Sequence, residues 1–165
     1  MMNMMNFRRF YTAALCIISA IVSSSLLAAC DKAPQASCGD IMLLIGDAVA
    51  VDAGAVVTDY DAEGESLVYK TFGDTLDLSA LVGYALRVPY RAAGRGEIGI
   101  FRVADDRDVR EVLIAVREHI KTLENKENAP ELFTLGRWIC YASTADNAAV
   151  GEIFLGIVRK ITATD

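Results

Sequence analysis

The chain has 165 residues, 53% of them apolar, with 16 Lys and Arg against 22 Asp and Glu for a formal charge of −6. Its mean hydropathy is nevertheless +0.32. Such a length allows one ordinary domain and excludes a two-lobed solute-binding protein or a large enzyme barrel, and the acidic balance excludes a nucleic-acid partner, whose phosphates demand clustered Lys and Arg.

The apolar excess lies at the start. Residues 1–29 hold Arg8 and Arg9, no acidic residue, the apolar run Phe10 to Val22, and then Ser23, Ser24 and Ser25. This order is that of a secretory signal peptide. Leu27-Ala28-Ala29-Cys30 resembles the lipobox of bacterial lipoproteins, in which the cysteine is acylated and becomes the mature N-terminus. The resemblance makes Cys30 a membrane anchor, and Asp31 after it implies retention on the inner membrane in a Gram-negative host. With the signal gone, 14 basic residues face 22 acidic ones, a formal charge of −8. Ile41 to Val57 is the next most apolar stretch, but Asp47 and Asp52 interrupt it as a span.

Residues 30–40 read as a polar tether, and 41–165 as a single domain. Within it, Ile41 to Val51 suggests a helix, Thr58 to Gly64 an acidic turn, and Leu67 to Val82 a short helix or loop. Tyr84, Leu86, Val88 and Tyr90 alternate with Ala85, Arg87, Pro89 and Arg91, the period of a strand, and Pro89 assigns it to a sheet edge. Ala92 to Gly96 is a turn, and Glu97 to Val103 a second strand, apolar on both faces. Val109, Val112, Leu113, Val116, Ile120 and Leu123 form one helical stripe, with Asp105 or Asp106 as its cap. Glu131 to Leu135 and Arg137 to Ser143 are two short strand candidates around Gly136, a second hairpin or one long bent strand. A last helix, capped by Asp146, carries Val150, Ile153, Phe154, Ile157, Val158 and Ile161 on one side. The expected fold is α+β, an antiparallel sheet of about four strands packed in two layers against two amphipathic helices.

The strand Tyr84-Ala85-Leu86-Arg87-Val88, the strand Glu97 to Val103, the Ala104-Asp105-Asp106 helix start, and Gly136-Arg137-Trp138 before a strand and final helix are similar to a family of small bacterial lipoproteins known as domain of unknown function 4358. The similarity spans Gly83 to Phe154. It implies an exported, lipid-anchored module and assigns no catalytic residues.

No motif carries a defined chemistry. Gly94-Arg95-Gly96-Glu97-Ile98-Gly99 fits a dinucleotide-binding pattern but opens a strand where that pattern requires a helix. Asp59, Asp61, Glu63 and Gly64 match the first half of a calcium loop, but Lys70 stands where the bidentate glutamate belongs. His119 is the only histidine, read as a solvated residue of the long helix, which excludes a multi-histidine zinc site within one chain. Cys16 leaves with the signal, so Cys38 and Cys140 remain. They form either a disulfide, or a buried small residue at Cys140 and a loose thiol at Cys38. Arg87, Arg91, Arg95 and Arg102 suggest a basic hairpin that either contacts anionic headgroups or discourages edge aggregation. The composite expectation is a non-enzymatic binding or accessory domain on the extracytoplasmic face of the cell membrane. Its partners would be the membrane, through acylated Cys30, and an envelope protein or small ligand, with no catalytic residue, cofactor or metal assigned. The rival is an envelope enzyme whose acids or Cys140 assemble only in the fold.

Overall fold

The computed structural model describes residues 36–90, 96–123 and 129–163. The stretch read as a signal peptide, together with Cys30, Arg91 and Arg95, lies outside them. The described chain runs α1 (Cys38–Ala48), β1 (Gly54–Thr58), α2 (Gly64–Phe72), two single turns of 3-10 helix (Gly73–Thr75 and Leu78–Ala80), β2 (Leu81–Pro89), β3 (Glu97–Val103), α3 (Val109–Thr122), β4 (Glu131–Leu135), β5 (Trp138–Ser143) and α4 (Asn147–Thr162). The strands form one antiparallel sheet in the order β1-β2-β3-β5-β4. The α+β class and the hairpin of β2 with β3 are as expected, and of the two arrangements left open around Gly136 the chain takes the hairpin, β4 with β5.

The layering differs from the expectation. Helices cover both faces of the sheet, so the fold has three layers. On one face Ala85, Ile98, Ile100, Trp138, Cys140 and Ala142 pack with Cys38, Ile41, Met42 and Ile45 of α1 and with Val150, Phe154 and Val158 of α4. On the other, Tyr84, Leu86, Phe101, Val103, Ile139 and Tyr141 meet Val68 and Phe72 of α2 and Val112, Ala115 and Val116 of α3. Strands β3 and β5 point alternate side chains into these two cores, and a buried Ile or Phe contributes about 1.5–3 kcal/mol through removal from water. One helix layer would have left half of this surface wet.

Several local readings also change. Strand β2 is internal, because β1, which the glycine- and alanine-rich sequence hides, pairs with it from Gly54 opposite Pro89 to Thr58 opposite Ala85. Pro89 is tolerated because it closes the strand, and the ladder continues beside it through Tyr90 N–H donating to the Ala53 carbonyl at 3.1 Å. Helix α1 begins inside the stretch read as tether. Ser37 Oγ accepts from Asp40 N–H at 3.1 Å while Asp40 Oδ2 accepts from Ser37 N–H at 2.8 Å, a reciprocal capping box. These bonds hold the Asp40 carboxyl below its usual range. Asp146 caps α4 as expected, accepting from Ala149 N–H at 3.0 Å. Neither Asp105 nor Asp106 caps α3. Asp105 accepts from Arg107 N–H at 2.9 Å and pairs with its guanidinium, and Asp108 holds the cap position without a side-chain bond.

Helix α4 approaches β4 closely at Gly151, where any Cβ would overlap the Phe133 ring. Gly151→Ala should therefore lower stability by about 1–3 kcal/mol through overpacking. Urea unfolding should show a much smaller cost for the same change in a Phe133→Ala background, and equal costs in the two backgrounds would refute the contact.

Candidate functional site

A buried charged residue lies on the α2/α3 face. Glu97 opens β3 and is only 8% exposed. Strand alternation puts it on the same face as Gly99 and Phe101. Its Oε1 accepts from the Tyr141 hydroxyl at 2.8 Å and lies 2.5 Å from His119 Nε2. An ionised carboxylate has only acceptors, so both the phenol and the imidazole donate to it.

The neighbouring strands make this meeting possible. Tyr141 stands opposite Gly99 in the β3/β5 ladder, and any Cβ on Gly99 would overlap the Tyr141 ring. The glycine lets the ring lie across β3 toward Glu97. Its place in an apparent G-x-G-x-x-G pattern has this packing cause, with β3 rather than a helix opening after Gly96. Phe72 closes the site from α2, its ring 4.6 Å from that of His119 and 6.2 Å from that of Tyr141.

His119 is therefore partly buried, with only 10% of its side chain exposed, rather than solvated. Sequence reasoning also missed Glu97 and Tyr141 as its partners. A signal was present: His119 lies three residues after Val116 and seven after Val112, flush with the apolar stripe of α3, and Glu97 is the one charged residue on its strand's face. Chemically, the carboxylate fixes the orientation of two rings, and the three side chains bind α3 to β3 and β5. Burial and the Glu97 charge and hydrogen bond push the Tyr141 phenol well above 10.

The cysteines are both buried, 3% exposed at Cys38 and 0% at Cys140, in the core beneath α1 and α4. Both stand as free thiols, and Cys38 is part of α1 rather than loose. Burial, then the negative charge of Asp59, pushes the Cys38 thiol up to about 12, and burial pushes Cys140 higher still. Such thiols hold little thiolate, the opposite of a catalytic cysteine.

The other sequence candidates separate in space. Arg87 Nη2 donates to the Asp52 carbonyl at 2.5 Å, near the start of β3, whereas Arg102 stacks over Trp138 at 5.3 Å from the other end of that strand. Of the four arginines read as one basic hairpin, Arg91 and Arg95 lie outside the described residues, and Arg87 and Arg102 sit toward opposite ends of β3. In the calcium-like loop, Asp61 Oδ2 accepts from Thr58 N–H at 2.6 Å and Thr58 Oγ1 at 2.9 Å, which locks a turn, while Asp59 faces Gly83. Among the described residues no cluster of His, Cys, Asp and Glu can hold a metal ion. No helix among them is long and apolar enough to cross a membrane. No family model matches the chain, and no curated protein or solved structure matches it either.

Tyr84, Tyr141, Cys38 and Cys140 all have raised values relative to ordinary ones of 10.0 for tyrosine and 9.0 for cysteine. The unfolded chain releases these protons while the folded chain still holds them, so their stabilisation is complete below about pH 9 and is lost as pH rises. Urea midpoints should fall progressively above about pH 9, and Tyr141→Phe should flatten that slope. Glu97→Ala should cost about 1–3 kcal/mol at neutral pH by leaving two buried donors without an acceptor. A midpoint unchanged by Glu97→Ala would refute the cluster's structural role.

Proposed function

We propose that the chain is a lipid-anchored extracytoplasmic protein, a binding or accessory domain held at the cell membrane by acylation of Cys30 and akin to the lipoproteins of domain of unknown function 4358. The order of Arg8 and Arg9, the apolar run Phe10 to Val22, and Leu27-Ala28-Ala29-Cys30 carries this reading. One acyl chain binds a bilayer only marginally, whereas two or three hold a protein there almost permanently.

An accessory role fits how the folded domain uses its chemistry-bearing groups. His119 and Glu97 are engaged with each other and with Tyr141 inside the core. Cys140, the thiol that a nucleophilic mechanism would require, is fully buried with its proton tightly held.

Metabolic labelling with an alkyne fatty acid should mark the wild-type protein and not Cys30→Ala, which should also leave the membrane fraction or accumulate unprocessed. Persistent labelling of Cys30→Ala would sink the lipid-anchor reading. In the folded, processed protein a maleimide should modify neither Cys38 nor Cys140 at neutral pH until denaturant is added.

A further inference from the structure

The surface around α2 carries a feature that neither the anchor nor the buried cluster uses. Glu65, Ser66 and Tyr69 on the helix, with Ala62 just before it and Gly73 just after it, rim a groove of about 390 Å³. Buried Val68 and Leu76 and half-buried Leu78 form its apolar floor. Tyr69 is 59% exposed, a large aromatic left at the rim instead of in the core. Glu65 lies one turn before it, so a carboxylate and a ring face are neighbours on the helix.

The surroundings are predominantly negative. Between positions 59 and 77 the chain holds Asp59, Asp61, Glu63, Glu65, Asp74 and Asp77 against Lys70 alone. The lining is interleaved with them: Ala62 lies between Asp61 and Glu63, Gly73 precedes Asp74, and Asp77 separates Leu76 from Leu78. Among the described residues none of these six carboxylates is in an ion pair. Buried Tyr84, under the start of α2, also responds to this field: burial and then the charges of Asp59, Glu65 and Asp61 hold its proton on.

We infer that this groove docks a basic, partly apolar segment of a partner polypeptide, with a lysine or arginine side chain lying between the Glu65 carboxylate and the Tyr69 ring and a neighbouring aliphatic side chain on Val68, Leu76 and Leu78. A cation over a tyrosine face beside a carboxylate gains from both groups, and the apolar floor takes what the charge does not need. The exposed rim favours a side chain presented from another protein's surface. A small-molecule pocket would instead bury most of its ligand. Negative potential from the surrounding acids steers such a partner inward and weakens with salt.

The inference rests on the binding-domain reading above, yet it fails separately, since fatty-acid labelling tests the anchor and peptide binding tests the groove. The acylated protein in neutral detergent would be titrated against a fluorescein-labelled hexapeptide alternating leucine and lysine. Its leucine–glutamate counterpart would be the control, and hexylamine the competitor. The lysine peptide should bind, about tenfold more weakly to Glu65→Gln and to Tyr69→Ala, unchanged for Glu152→Gln on α4, and more weakly as salt rises to about 0.5 M. Glu65→Gln is isosteric and exposed, so it keeps the test meaningful should Tyr69→Ala misfold. Failure to bind, equal binding of the glutamate peptide, or affinity undiminished in Glu65→Gln would overturn the inference. So would displacement by hexylamine at matching concentration, which would make the groove a site for small amines.

Discussion

Strands β3 and β5 are apolar on both faces, and the rest of the molecule follows from covering them twice. Ile98 and Ile100 point one way, Phe101 and Val103 the other, and Ile139 and Cys140 divide likewise. Burial of both faces is typical of parallel sheets, whose crossover helices cover them. Here every strand pair is antiparallel, and the cover comes from separate helix pairs, α1 with α4 and α2 with α3. The hydrophobic effect is indifferent to strand direction. It requires only that neither face stay wet.

The one buried carboxylate in this arrangement is tolerable because two donors meet it. Glu97 would be costly alone in an apolar core, and so would an unaccepted phenol or imidazole. Together they give α3 a fixed position that apolar side chains alone define less sharply, since a stripe of Val and Leu can slide with little loss. Gly99 is essential to this, because the tyrosine ring occupies the volume that any other residue would fill.

Much of the fold is legible in the sequence. The stripe of α3 follows from helical periodicity, and the limits of β3 and β4 from short apolar runs bounded by turn residues. Strand β1 escapes because Gly54-Ala55-Val56-Val57-Thr58 is short and its alternation weak, and losing it misplaces β2 at the edge. The double-faced apolar pattern of β3 calls for cover on both sides, but α1 and α2 have weaker apolar stripes than α3 and α4, and their first turns, Cys38-Gly39-Asp40 and Gly64-Glu65-Ser66, read as tether and turn. The candidate site was less legible still. Glu97, His119 and Tyr141 are separated by 22 residues in each interval, and only the pairing of β3 with β5 and the packing of α3 on that face bring them together.

The two cores also differ in their chromophores. Trp138 is the sole tryptophan, 4% exposed beneath α1 and α4 with the Arg102 guanidinium over its ring, while the buried tyrosines Tyr84 and Tyr141 belong to the opposite core. Emission excited at the red edge of the protein spectrum therefore reports on the α1/α4 layer alone. The molecule carries a built-in optical means of asking whether its two helix layers come away from the sheet together or one before the other.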